Sequence, residues 1–150
     1  MKLLLTALLL TAATLHAQTA PLPAQLHSAK TVFLSLGPGF NSDDAVREYT
    51  GAYNALAKAG YTLEPTPAQA ELSVNLSCSS ETSVSRGDSR DLYTVHLDIT
   101  DIKTHTTIWT IDTPVESAFL ASTAKKNEDS AVLGSIATLS KLASETSSPQ

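Results

Sequence analysis

His96, Asp98, Asp101 and His105 fall within one short stretch and are the chain's densest gathering of groups that could do chemistry. On a strand, His96 and Asp98 point to the same face, and His105 follows in the turn beyond. Imidazole and carboxylate suit zinc and its neighbours, so His96, Asp98 and His105 are the candidate metal ligands. A working site needs three or four convergent donors, and this spacing brings only two together. Solvated polar residues on an open sheet face explain them more simply, and no cofactor is expected. Asp98 and Asp101 could act as a carboxylate pair in acid–base work. Asp101, however, suits a turn in which an Asp side chain bonds its own backbone.

The remaining reactive types are isolated. Cys78 is the sole cysteine, so no internal disulfide can form. It alternates with Leu72, Val74 and Leu76 and reads as a small buried hydrophobe. A nucleophilic thiol would want a cation beside it, and none is close in sequence. Ser85-Arg86-Gly87-Asp88-Ser89 contains the tripeptide read by integrins, yet turn composition accounts for it. Asn75-Leu76-Ser77 matches a glycosylation sequon inside a strand. Trp109 could stack on a ligand, but a lone Trp in an alternating strand belongs in or beside the core. Lys125-Lys126 reads as a solvated pair before a helix. The sequence has no nucleophile elbow, P-loop, dinucleotide fingerprint or paired CxxC. No catalytic residue is assigned, and an enzyme is not expected.

The elements that hold these residues are legible from periodicity. Tyr93, Val95, Leu97 and Ile99 alternate with Thr94, His96, Asp98 and Thr100, the period-two mark of a half-buried strand. After a polar reversal at 101–105, Thr107, Trp109 and Ile111 alternate with Thr106, Ile108 and Thr110, completing a hairpin. Earlier strands are expected at 31–36, 61–64 and 71–79, and a polar, mobile loop at 80–91. Asn41 or Ser42 can cap a helix in which Val46, Tyr49, Tyr53 and Leu56 form the apolar face. Gly60 ends that helix, while Gly51 inside it suggests close packing against the sheet. Ala118, Phe119 and Leu120 should tuck against something apolar. Asn127 can cap a last helix that buries Val132, Leu133, Ile136, Leu139, Leu142 and Ala143. The expected fold is α/β, of α+β character: two layers, a mixed but mostly antiparallel sheet, order β-α-β-β-β-β-α, both helices on one face.

Residues 1–17 read as a signal peptide, with Lys2, the apolar run from Leu3, and Ala17 at the cut. The run is too short for a spanning helix. Residues 18–29 read as a flexible arm, 30–143 as a single α/β domain and 144–150 as a disordered tail. Gln18 follows the cut where a lipoprotein would need Cys, so the expectation is an exported, periplasmic or secreted chain that is not a lipoprotein. The net charge of −5 becomes −6 once Lys2 leaves with the leader. That balance argues against nucleic acid or an anionic membrane as partner.

Short patterns strengthen this picture: Ala29-Lys30-Thr31-Val32-Phe33, Ala68-Gln69-Ala70-Glu71-Leu72, Asp101-Ile102-Lys103-Thr104-His105 leading to Ile108-Trp109, and Lys125-Lys126-Asn127. With the element order, the chain over residues 29–143 resembles small exported bacterial proteins of unknown function. It also resembles the α/β domain of CsgG-type secretion lipoproteins, the TolB amino-terminal domain and lipoprotein activators of penicillin-binding proteins. The resemblance implies a cell-envelope protein and carries no catalytic motif. The resulting expectation is a non-enzymatic interaction module that meets an envelope or secreted protein, or itself, through Thr94, His96, Ile108 and Thr110 on the open sheet face. The alternative is a small-ligand or metal-binding domain.

Overall fold

A computed structural model of the chain describes residues 22–40, 42–85, 88–118 and 120–145. The expected signal peptide, the start of the expected arm, Asn41, part of the integrin-type tripeptide, Phe119 and the last five residues lie outside the described residues. The elements are α1 (Ala24–Ser28), β1 (Thr31–Leu36), α2 (Ser42–Lys58), β2 (Thr62–Leu63), a 3-10 turn (Pro67–Gln69), β3 (Leu72–Ser85), β4 (Asp88–Asp101), β5 (Thr106–Val115) and α3 (Ala121–Ser144).

The five strands form one mixed sheet in the order β2-β1-β3-β4-β5. β1 runs parallel to both β2 and β3, and the β3-β4-β5 meander is antiparallel. Helices cover one face, giving a two-layer α+β fold. Val32, Leu34, Leu72, Val74, Leu76, Cys78, Val95, Leu97, Ile99 and Ile111 point into that covered face and are buried. Their strict alternation is what fixes which side of each strand faces the helices. Gly39, with φ +102°, lets the chain pass β3: a Cβ there would lie 1.7 Å from the Cys78 carbonyl oxygen. Among the described residues no helix is long and apolar enough to cross a membrane.

Several expectations are corrected. Residues 24–28 of the supposed arm form α1, because Leu26 has a fully buried place in the core. Of the loop drawn at 80–91, residues 80–85 and 88–91 instead continue β3 and β4, which stay paired from Leu72↔Asp101 to Ser85↔Asp88. Paired backbone groups hold this ribbon even though its side chains are polar, so side-chain periodicity gave no signal. α3 begins at Ala121, ahead of Asn127; Asn127 Nδ2 donates to the Glu116 carbonyl at 2.8 Å. Leu133 and Leu120 stay exposed.

The largest correction concerns α2. Its buried stripe is Asp44, Glu48, Ala52 and Leu56, whereas Val46, Tyr49 and Tyr53 are exposed. Two acids are turned inward because cations meet them there. Arg47 bonds Asp44, Glu48 (2.7 Å) and Asp129 of α3 (2.8 Å). Lys125 of α3, solvated as expected, also reaches Asp44 at 2.8 Å and so pairs with it. Buried charges are tolerated when paired and hydrogen-bonded. Gly51 meets no atom within 4 Å of a built Cβ, so it is not a packing glycine.

Candidate interaction surface

The face of the sheet away from the helices is set by the same alternation. Asn75 pairs with Asp98 and Asp98 with Thr110; Ser77 pairs with His96 and His96 with Asp112; Thr94 pairs with Pro114. Cross-strand side chains this close interact, and here they form a polar ladder. Thr110 Oγ1 donates to Asp98 Oδ1 at 2.7 Å. Thr82 Oγ1 donates to Asp91 Oδ1 at 2.8 Å, and Ser35 Oγ to Asn75 Oδ1 at 3.0 Å.

His96 sits at the centre. Its Nδ1 is 2.7 Å from Asp112 Oδ1, and its Nε2 is 2.7 Å from Ser79 Oγ. A carboxylate only accepts, so Nδ1 carries the proton and, in the neutral ring, Nε2 accepts from the Ser79 hydroxyl. The order Ser–His–Asp is that of a hydrolase triad. A triad also needs oxyanion donors and a concave site. This one lies on a pleated sheet face, and Asp112 is 62% exposed. The arrangement therefore organises a surface. Sequence reading missed Ser79, which fell at the edge of the supposed loop, and Asp112, which continues the alternation of Thr110.

The metal candidates do not converge. His96 and Asp98 share a face, as expected, but each is engaged by a cross-strand partner. His105, with φ 55°, sits in the turn that follows Asp101, and Asp101 is itself five residues along β4 from His96, roughly 17 Å at strand rise. Among the described residues no group of three or more His, Cys, Asp or Glu side chains could hold a metal ion. Asp98 and Asp101 do not pair either. Asp101 is buried, and its Oδ1 accepts from the Lys103 and Thr104 amides at 2.8 and 3.1 Å, the turn role read from sequence.

Ile108 departs from its expected place. The β4–β5 register shifts between Ile99↔Trp109 and Thr100↔Thr107, leaving Ile108 as the extra residue of a β-bulge. A bulge turns two successive side chains to one side. Ile108 and Trp109 are accordingly both half-buried against the core, and Thr107 takes the open-face position opposite Thr100. Thr94, His96 and Thr110 remain on the open face. Among the described residues β5 is the sheet's outer strand, with no strand beyond it.

Cys78 is a buried thiol. Burial pushes it up to about 11, and the carboxylates of Glu128 and Glu48 push the same way. At neutral pH it is protonated and unreactive.

No protein-family model matches the chain, and no curated protein sequence matches it. Solved structures do. The PelC dodecamer from Paraburkholderia phytofirmans superposes with TM-score 0.52 at 18% identity, over 84% of this chain and 94% of that one. A point variant of the same dodecamer gives TM-score 0.53 at 15% identity, over 79% and 93%. Lipoprotein GNA1162 from Neisseria meningitidis gives 0.43 at 15% identity, over 72% and 98%. At such identities the likeness is one of fold. It corrects one expectation: lipoproteins are among the similar structures, so the exclusion of a lipoprotein, drawn from Gln18 alone, is withdrawn. The chain shares its fold with the PelC subunit.

Proposed function

We propose that this chain is a non-enzymatic protein-interaction module of the bacterial cell envelope, related in architecture to the CsgG, TolB amino-terminal and penicillin-binding-protein-activator domains. It is exported by its amino-terminal leader and pairs with an envelope protein or with its own copies. The supporting observation is β5: a ten-residue outer strand with a free edge, bordering an open face on which Thr94, His96 and Thr110 stand in an ordered polar ladder. A free edge offers a row of backbone donors and acceptors to an added strand, and flanking side chains supply selectivity. PelC, which shares the fold, is a dodecamer, so a closed assembly of copies is the form of self-pairing to test first.

In-cell photo-cross-linking from Thr110 and from Thr107, with adducts identified by mass spectrometry, tests the proposal. One dominant envelope-protein adduct, or a self-adduct accompanied by an oligomer in light scattering, supports it. A monomer giving no specific adduct from either position would sink it.

A further inference from the structure

β3 and β4 run further than the sheet they belong to. β1 leaves β3 at Leu36↔Leu76 and β5 leaves β4 at Tyr93↔Val115, whereas β3 and β4 stay paired out to Ser85↔Asp88. Beyond the sheet the ribbon is two strands wide, a form that is marginal in water without further cover. Residues 79–84 of β3 are all exposed. Just before this stretch the Leu76 carbonyl accepts from the Gly37 amide at 2.7 Å, and the Cys78 amide donates to the Pro38 carbonyl at 3.0 Å. Even-numbered residues of β3 therefore turn their N–H and C=O away from β4, and strand alternation extends this to Ser80, Thr82 and Val84. Among the described residues no backbone group bonds these three on that side.

Edges left open in native sheets are guarded by proline, lysine, bulges or short length. From Ser79 to Ser85 this edge runs roughly 20 Å at strand rise. It has no proline or lysine, its register with β4 is regular, and its one charge is Glu81. A second copy of the chain fits it. Antiparallel addition about a two-fold axis at Thr82 sets Thr82 opposite Thr82, and Ser80 opposite Val84, of the other copy. Each outward amide then meets an outward carbonyl, as an antiparallel pair requires. Glu81 falls opposite Ser83 of the second copy, so no carboxylate lies directly opposite another in a chain of net charge −5. The lengths also match: the added strand ends with its Ser85 opposite Ser79, one residue short of Cys78, where the turn from Gly37 takes up the edge. Sliding the copy inward by one step would set Glu81 against itself and drive the added strand into that turn.

We infer that the projecting edge of β3, residues 79–85, is a contact between two copies of this chain, which join their β3–β4 ribbons into one continuous sheet. The contact uses the side of β3 turned away from β4 and β5, so it stands or falls separately from the reading of β5.

The test uses the full chain as processed and purified from cells. The parent should dimerise in light scattering as its concentration rises. Thr82→Cys should form a disulfide between copies on mild oxidation, because the Cα atoms of a bonded antiparallel pair lie about 5.5 Å apart, within a disulfide's span. Ser80→Cys alone should not, whereas Ser80→Cys combined with Val84→Cys should. The one native thiol, Cys78, is buried and gives no background. Thr82→Pro removes an amide that β4 does not use, so the circular dichroism of the parent should persist while the dimer weakens about thirtyfold, the worth of two neutral hydrogen bonds. If Thr82→Pro fails to fold, the pattern of cysteine pairs decides. A parent that stays monomeric and gives no Thr82→Cys disulfide would overturn the inference. So would equal cross-linking from Thr82→Cys and Ser80→Cys, or a folded Thr82→Pro protein that dimerises as well as the parent; in that last case a self-adduct from Thr110 would put the contact at β5 instead.

Discussion

The α2–α3 joint and the open sheet face are built from the same parts, carboxylates held by cationic or imidazole partners, yet they do different work. At the joint, Glu48 is 2% exposed and is held by Arg47, which also ties Asp44 and Asp129. On the open face, Asp112 and His96 make an equally short contact in reach of water. Burial raises the stakes of every interaction at the joint, because an unpaired charge there has no solvent to turn to. On the face, water replaces any lost partner, so the ladder costs little to keep or change. The joint ties two helices together; the ladder leaves a surface available to a partner.

The contrast is sharpest at Arg47. Arg47→Ala leaves Glu48 buried without its cation and should cost about 2 kcal/mol in urea unfolding, below the full buried-pair penalty because Arg47 is partly exposed. A loss no larger than that of an exposed pair would erase the distinction between the two regions.

Next in size is a pH effect at Glu48. Burial, joined by the neighbouring Asp129, pushes its carboxyl up to about 7. Between about 4.5 and 7 the folded protein therefore holds a proton that the unfolded chain releases, and stability falls as pH rises through this window. Glu48→Gln should flatten that slope, read as melting temperature against pH. An unchanged profile would mean the joint is as wet as the face.

Gly51 is a control on the same helix. Nothing crowds its missing Cβ, so Gly51→Ala should stabilise by about 0.5–1 kcal/mol through helix propensity alone. A destabilising result would show that α2 sits closer to a neighbour than its geometry indicates.

The smallest effect is expected on the ladder. Asp112→Ala should change stability by about 0.5 kcal/mol, in the range of exposed ion pairs. It should still alter the cross-linking pattern obtained from Thr110. A stability loss matching that of Arg47→Ala would mean the ladder is structural rather than a recognition surface.

Much of this molecule was readable in one dimension. Alternation in 72–78 and 95–99 marked two strands and their buried sides, because a side-chain period of two needs no tertiary context; Tyr93, in the same pattern, is exposed. The order of strands and principal helices, the turn role of Asp101 and the buried state of Cys78 followed from local chemistry in the same way. The buried side of α2 did not, because apolar spacing pointed to Val46, Tyr49 and Tyr53. Only the arrival of α3, with Lys125 against Asp44 and Asp129 against Arg47, made the acidic stripe the inner one. The bulge at Ile108 likewise depends on the register between two strands, so residue types in one strand could not reveal it. Ser79 and Asp112 became partners of His96 only once three strands lay side by side. Local periodicity determined the elements and most of their inner faces; long-range pairing of charges, registers and helix ends decided which residues form a site.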